Sequence, residues 1–600
     1  MRFLSLAGCL LSSFLLSGCA ESHVAERDGG GFVVLPPDAM IGVTDPDVDA
    51  GPPPTRFEPC DVIGLGTPTA IDGAGSLVAV GSDVGAVLVV RVPDAWVLAE
   101  HLLPDAPVLA VAITEDGRTV RAVTPRASFD IDVRSGARTE RARHEPPLLA
   151  ASFLLAGLDP ATVRPLARGV LVQPPFGDPI AFDEADATRG VRVAAWHGGL
   201  VAIGTPGRVL VHGADRVVRE VVGIDDGVPA EIAFTSGGAL ATTLRRDPSE
   251  RALIVEPDGT TVRAIAGGGP EHGIAASSSE PRVLLGSGDV VDVQGATPRV
   301  ERTFTPSTLP AFAGGALAGA SDRTIVVEGE DGAPVRADVD VDVEHGLHFV
   351  TPDRLVVAMA TTTRVYRPDR ITPARELATG PVQGRGSAIA YVTGTTLTIE
   401  PVEGEGAIVH EVGDAWVVGL GARHAYVWSP GARELRVVGI RGGEIARTHA
   451  LAAVDRVIES ADGGRYAVIH AGRAQVFEVA TGRLIGTLAV GGHSAGPPLD
   501  FALDGRLAVI GGEGLEVLDP ETFVARFARS SPAMATRFDA WGRVVSIRAE
   551  HETMLAIDDG TLREVWSTPV PAAGFDHLAV APGRIAIARR GVVVIHCASE

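Results

Sequence analysis

The segment that opens Asp462-Gly463-Gly464, continues Arg465-Tyr466-Ala467-Val468-Ile469 and closes on Thr481-Gly482-Arg483 decides how the whole chain reads. Its two turn signals, Asp-Gly and Thr-Gly, stand 19 residues apart, with short apolar runs between them. The same arrangement stands at Asp116-Gly117-Arg118 and Ser135-Gly136, again 19 residues apart. Short apolar, β-branched runs punctuated by Gly, Asp and Pro predict antiparallel strands joined by tight turns. Toward the C-terminus the register repeats at Gly464-Arg465, Gly505-Arg506, Gly542-Arg543 and Gly583-Arg584, at intervals of 41, 37 and 41 residues. Each of these is followed by an apolar strand: Tyr466-Ala467-Val468-Ile469, Leu507-Ala508-Val509-Ile510, Val544-Val545-Ser546-Ile547 and Ile585-Ala586-Ile587. Toward the N-terminus, Leu77-Val78-Ala79-Val80 and Val87-Leu88-Val89-Val90 flank Gly81 to Gly85. The glycine of each Gly-Arg pair is expected to take the tight turn between a unit's first and second strands. No long amphipathic helix stands out, so the fold class is all-β.

Units of about 40 residues with four strands each have the size of propeller blades. On these repeats the body resembles a β-propeller of the WD40-like or YVTN-like kind, over roughly 540 residues. The Gly-His and Trp-Asp signatures of true WD40 repeats are absent, so the resemblance implies the architecture rather than that family. Counting turns and strands gives about 14 four-stranded blades of roughly 39 residues each, which implies a tandem β-propeller of two seven-bladed rings. The expected division is 58–345 for the first ring and 346–600 for the second. The last unit, Phe575 to Cys597, is one outer strand short. The segment Cys60 to Leu65 is expected to supply it, so that the first ring is inserted into the second.

At the N-terminus, Met1-Arg2 precedes an uncharged run from Phe3 to Leu16, which ends in Leu16-Ser17-Gly18-Cys19. A run of this length is short for a membrane-spanning helix and suits a signal peptide. The pattern resembles a bacterial lipoprotein signal over residues 1–18, the alternative being an ordinary secretory signal. The resemblance implies that Cys19 carries lipid. Ala20 and Glu21 follow, without the Asp that usually retains such proteins at the inner membrane, which implies the outer membrane, on its periplasmic face or at the cell surface. Acyl chains hold by about 0.8 kcal/mol per buried CH₂. Residues 19–57, with Gly29-Gly30-Gly31, Asp45-Pro46-Asp47-Val48-Asp49 and Pro52-Pro53-Pro54, read as a disordered acidic tether. Its reach is of order 35 Å.

Of the four cysteines, Cys9 leaves with the signal and Cys19 takes lipid, which leaves Cys60 and Cys597. In an oxidising compartment these are expected to form a disulfide; two unpaired buried thiols are the alternative. The chain has 600 residues, 46% of them hydrophobic, a mean hydropathy of +0.22 and a formal net charge of −23. That charge argues against nucleic acid, whose phosphates need a cationic face, and against adhesion to anionic lipid. There is no Lys and no Asn, so every one of the 52 fixed cations is Arg.

Candidate chemistry is sparse. Gly492-His493-Ser494-Ala495-Gly496 matches the G-x-S-x-G pattern, but Pro497-Pro498 follow and no helix begins there. Asp338, Asp340, Asp342 and Glu344 alternate with apolar residues, which reads as a charged, solvated edge strand, a calcium site being the alternative. His345 and His348 lie three apart without a ligand cluster. Gly64-Leu65-Gly66 reads as turn glycines. Trp96, Trp416, Trp428 and Trp566 are expected to pack between blades, with one or two at a sugar-binding rim. No catalytic residue, metal or cofactor is expected. The function implied is a membrane-anchored extracytoplasmic module that binds or scaffolds a protein or glycan partner. The alternative is a propeller-channel enzyme: a lactonase, a glycan lyase or a quinoprotein-like oxidoreductase.

Overall fold

The computed structural model describes residues 52–599, apart from short stretches of which the longest are 183–191, 222–227, 267–272, 246–250, 257–261, 368–372 and 492–496. Among the described residues all regular structure is strand, and no helix is long and apolar enough to cross a membrane. The strands form fourteen four-stranded antiparallel sheets, thirteen of them built from four strands consecutive in the chain. The result is a β-propeller-like all-β fold.

Two series of sheets can be followed through their first strands. Pro68–Ala74 lies beside Ala110–Ile113, and contacts pass on through Phe153–Leu154, Arg192–His197, Val228–Phe234 and Ile274–Ala276 to Leu309–Ala313, which lies beside Pro68–Ala74 again. In the second series the contacts run from Gly346–Thr351 through Gln383–Arg385, Trp416–Leu420, Arg456–Glu459, Leu499–Phe501 and Ala533–Phe538 to His577–Ala581, which returns to Gly346–Thr351.

Burial explains the sequence pattern. A middle strand is covered on both faces by neighbouring sheets, so Tyr466, Ala467, Val468 and Ile469 are all buried and read as one apolar run. Fourth strands face solvent: Arg138–Arg143 is exposed along its whole length. Its charges, and the register shifts where fourth strands join third ones, as at Val476/Phe477 and Val517/Leu518, are devices that blunt an open edge.

The turns between first and second strands are closed by a carboxylate. Asp462 accepts the Gly464 N–H at 3.0 Å, Asp116 the Arg118 N–H at 3.0 Å, and Asp539 the Trp541 and Arg543 N–H groups at 2.9 Å. The left-handed positions are Gly117, Gly463, Gly505, Gly542 and Gly583. In the unit quoted first, the left-handed residue is therefore Gly463, one position before the expected Gly464.

The opening strand Phe57–Gly64 pairs with the last strand, Val592–Ala598, from Phe57↔Ala598 to Gly64↔Val592, and completes the sheet that contains His577–Ala581. Cys60 is disulfide-bonded to Cys597 across this pair. Phe57 is buried, its ring 5.8 Å from that of Trp566, so the residue at the end of the tether reading already belongs to the body. Ahead of it, the Arg543 guanidinium donates to the Pro54 carbonyl at 2.6 Å, and the Ser599 N–H to that of Arg56 at 3.1 Å. Cys19 and the remainder of the tether lie outside the described residues.

Among the described residues between Arg336 and Gly346 there is no strand, in place of the edge strand expected from the alternation. The alternation has another cause. Val339, Val341 and Val343 are buried among residues of both series, while Asp342 faces Arg323 at 3.3 Å and Glu344 is exposed. Asp338 and Asp340 lie outside the described residues.

Within each series, carboxylates tie neighbouring first strands together. Asp72 accepts the Ile113 N–H at 2.8 Å, and Asp500 accepts the Phe538 N–H at 2.8 Å. Burial pushes the Asp72 carboxyl up from 3.8 to about 6, against the pull of the Ile113 and Gly73 N–H groups. A carboxyl with a raised folded value stabilises the fold fully below about pH 4 and loses that contribution as the pH rises through 6, worth up to about 3 kcal/mol. Asp72→Asn keeps an acceptor for Ile113 and removes the titration. Urea denaturation should find this variant more stable than the wild type at pH 7 and show the difference vanishing by pH 4.

Candidate functional site

The first strands of the second series present their starts to one end of the sheet array, and a cavity of about 300 Å³ opens there. It is lined by His345, Gln383, Trp416, Val417, Val418, Asp455 and Arg456. Gln383, Trp416 and Arg456 each begin a strand, and His345 and Asp455 each immediately precede one. Trp416 is 41% exposed, although it belongs to a strand whose other four residues are buried. An indole left open beside polar groups is a common feature of binding surfaces. Asp455 is engaged by His470 Nδ1 at 3.1 Å.

Beyond the cavity lining, the same strands carry a cationic cluster. Arg456 is joined by Arg537 from Ala533–Phe538, Arg385 from Gln383–Arg385, His348 from Gly346–Thr351 and His577 from His577–Ala581. Arg385 Nη1 donates to the Glu459 carbonyl at 2.7 Å, reaching past the intervening Trp416–Leu420 strand to the next sheet but one. Arg537 Nη1 lies 3.5 Å from Asp500 Oδ1. The His348 imidazole takes the space that a side chain at Gly346 would fill, and its Cβ, with Val350, crowds Gly384. A Cβ at Gly346 would lie 2.5 Å from its Nε2, and one at Gly384 would lie 3.2 Å from its Cβ. That Nε2 is buried without a hydrogen-bond partner.

The electrostatics follow from burial and like charge. Burial, reinforced by Arg537, Arg456 and His577, pushes the His348 imidazole down to about 3. His577 falls to about 4, from burial first and Arg456 second, although a hydrogen bond involving the Val343 backbone and the charge of Asp342 oppose the change. Arg456 is lowered to about 10, by burial and then Arg537. Arg537 is lowered by burial and Arg385, with Asp500 opposing. Both imidazoles are therefore neutral at pH 7, and the guanidiniums supply the charge.

A second cavity, of about 240 Å³, lies where the two series meet and is lined by Trp96, Glu100, Arg336, Val341, Arg364 and Tyr366 among others. Burial, with Asp61 adding, holds the Glu100 carboxyl well above the usual range.

Of the residues singled out in the sequence, Cys60 and Cys597 are brought together, and Gly492 to Gly496 lies outside the described residues. His345 lines the first cavity and His348 lies in the cationic cluster. No group of three His, Cys, Asp or Glu side chains converges as a metal site among the described residues. Gly64, the last residue of the opening strand, and Gly66, two residues on, both have left-handed φ. Trp428 is buried and Trp566 packs on Phe57, whereas Trp96 and Trp416 stand exposed at the two cavities. Sequence reading passed over Arg385, Arg456 and Arg537.

No family model and no curated protein matches the chain. Among solved structures it is similar to PorZ, described as an essential bacterial surface component of the type-IX secretion system of human oral-microbiomic Porphyromonas gingivalis. The match has a TM-score of 0.47 and 10% sequence identity, and covers 89% of this chain and 86% of that chain. A likeness of that degree assigns neither a partner nor an activity.

Proposed function

We propose that the protein is a lipid-anchored, extracytoplasmic binding module whose fourteen sheets are the blades of two seven-bladed β-propellers, with the partner, a protein or a glycan, received at the mouth of the second. In this reading the first propeller spans 68–336. The second spans 346–598 and takes its last outer strand from 57–64. The return of first-strand contacts to their starting strand in each series supports it. So does the opening strand, which leaves the first series inserted between two parts of one sheet.

The observation that carries the binding function is the cavity at the second series, where an exposed indole stands beside an amide and a guanidinium from the sheets on either side and the imidazole of His345, which precedes the strand Gly346–Thr351. Pockets of this kind, with an apolar wall and a few converging polar groups, are binding sites by default. In this reading Cys19 carries lipid and tethers the body to the outer membrane, and a Cys60–Cys597 disulfide suits that oxidising side.

Crosslinking in cells, affinity recovery and mass spectrometry test this reading. One dominant partner, lost on Trp416→Ala, supports it; reproducible recovery of none overturns it. Cys19→Ala should move the protein from the membrane to the soluble fraction.

A further inference from the structure

We propose that the cavity of the second series binds a negatively charged sugar, its ring on Trp416 and its carboxylate or phosphate on Arg456 with Arg537 behind. This names the ligand class of the site proposed above and rests on that reading.

The argument begins from charge. The chain carries 75 acidic residues against 52 cations, yet its second series gathers three guanidiniums on its first strands. Of the carboxylates nearby, Asp500 is engaged by the Phe538 N–H and Arg537, Asp342 by Arg323, Glu459 by His424 at 3.3 Å, and Asp455, in the lining itself, by His470. Arg537 depresses Arg456, and Arg385 depresses Arg537, so the guanidiniums lie close enough to repel one another, with Asp500 opposing at Arg537. An anion placed among like cations relieves that repulsion and forms charge-assisted hydrogen bonds, which guanidinium geometry favours for carboxylate and phosphate.

A free inorganic anion would need only the guanidiniums. The cavity in front of them offers more. Trp416 supplies a flat apolar face, and Gln383 and His345 supply polar groups in the same lining. Such a mixture matches the apolar face and hydroxyl rim of a sugar. The volume, about 300 Å³, lies at the small end of ligand pockets and suits one or two sugar rings.

The test is calorimetric titration of the full-length protein in detergent with galacturonate disaccharide, with glucose 6-phosphate and with a neutral disaccharide. Binding of the uronate or of the phosphate sugar, with the neutral sugar at least about tenfold weaker, is the expected result and tells the two anion sources apart. Arg456→Gln should weaken the acidic ligand by about ten- to a hundredfold, the loss expected of one charged hydrogen-bonding partner. Trp416→Ala should weaken it by about tenfold, with Trp416→Phe retaining most of the affinity. Trp96→Ala, at the other cavity, should leave affinity unchanged. Equal affinity for the neutral sugar, absence of acidic-sugar binding at millimolar concentration, or full affinity in a folded Arg456→Gln variant overturns the proposal. Recovery of a protein partner by crosslinking alongside any of these results would leave the binding-module reading standing and remove the acidic sugar alone.

Discussion

Asp558→Ala should destabilise the second series by about 3–5 kcal/mol, the cost of leaving a buried charge without its partner. Asp558 is fully buried, and the Arg548 guanidinium it holds is 1% exposed. Arg548 also donates to Ser546 Oγ at 3.1 Å and pairs with Glu564 at 3.0 Å. Arg529, from the last strand of the preceding sheet, closes the network onto Asp558 at 2.7 Å and Glu564 at 3.2 Å. The four charges thus join two neighbouring sheets near their outer strands. Coulombic gain inside such a network is offset by desolvation of every member, so its removal as a unit costs far less than its disruption. Urea denaturation of Asp558→Ala, Arg548→Met and the Arg548→Met/Asp558→Ala pair separates the two effects. The double variant should lose well under the sum of the singles. A loss below about 1 kcal/mol in Asp558→Ala would show that water or Glu564 compensates Arg548 and that the network does not hold the sheets.

How much of this was legible in the sequence depends on the range of the interaction. The turn at Asp462-Gly463-Gly464 is written locally: a carboxylate two residues from the N–H it accepts, and a glycine where the backbone is left-handed. The same few residues recur at Asp116, Asp504 and Asp539, so the repeat, the four strands and the all-β class could be read from spacing. The one-residue slip from Gly464 to Gly463 arose because two adjacent glycines satisfy the same pattern and only the φ angle separates them. The segment 337–345 misled for a related reason. Alternating Val and Asp describes any extended segment with one buried face, and whether that face belongs to a sheet or to a seam between bodies is decided elsewhere in the chain.

The cationic cluster could not be read at all. His348, Arg385, Arg456, Arg537 and His577 come from five different sheets, and no two of them fall within one turn or one strand. They meet because first strands of successive sheets lie side by side, a relation that needs the whole series. Trp416 shows the same limit. Its sequence surroundings, Ala415 and Val417, suggest core, and both of those residues are buried. The indole itself stands open because its strand starts at the end of the array where the cavity lies.

Cys597→Ser should cost the second series about 2–5 kcal/mol and loosen one sheet selectively. The bond spans a sequence separation of 537 residues, so the unfolded chain loses a large loop-closure entropy when it is present. Without the bond, the opening strand must find Val592–Ala598 from across the inserted first series, held by its ladder, by the buried Phe57, Val62 and Ile63, and by the hydrogen bonds of Pro54 and Arg56. Hydrogen exchange should therefore speed up at 57–64 and 592–598 in Cys597→Ser while the sheets from 68 to 336 keep their protection. Adding Phe57→Ala, which removes the ring packed on Trp566, should deepen the same local loss rather than spread it. Unchanged exchange at 592–598 would mean that strand pairing alone closes the sheet. Faster exchange throughout 68–336 would mean that the two series unfold as one cooperative unit through the contacts of Leu65, Val339 and Val341, and the seam between them, rather than the disulfide, would then set the stability of the body.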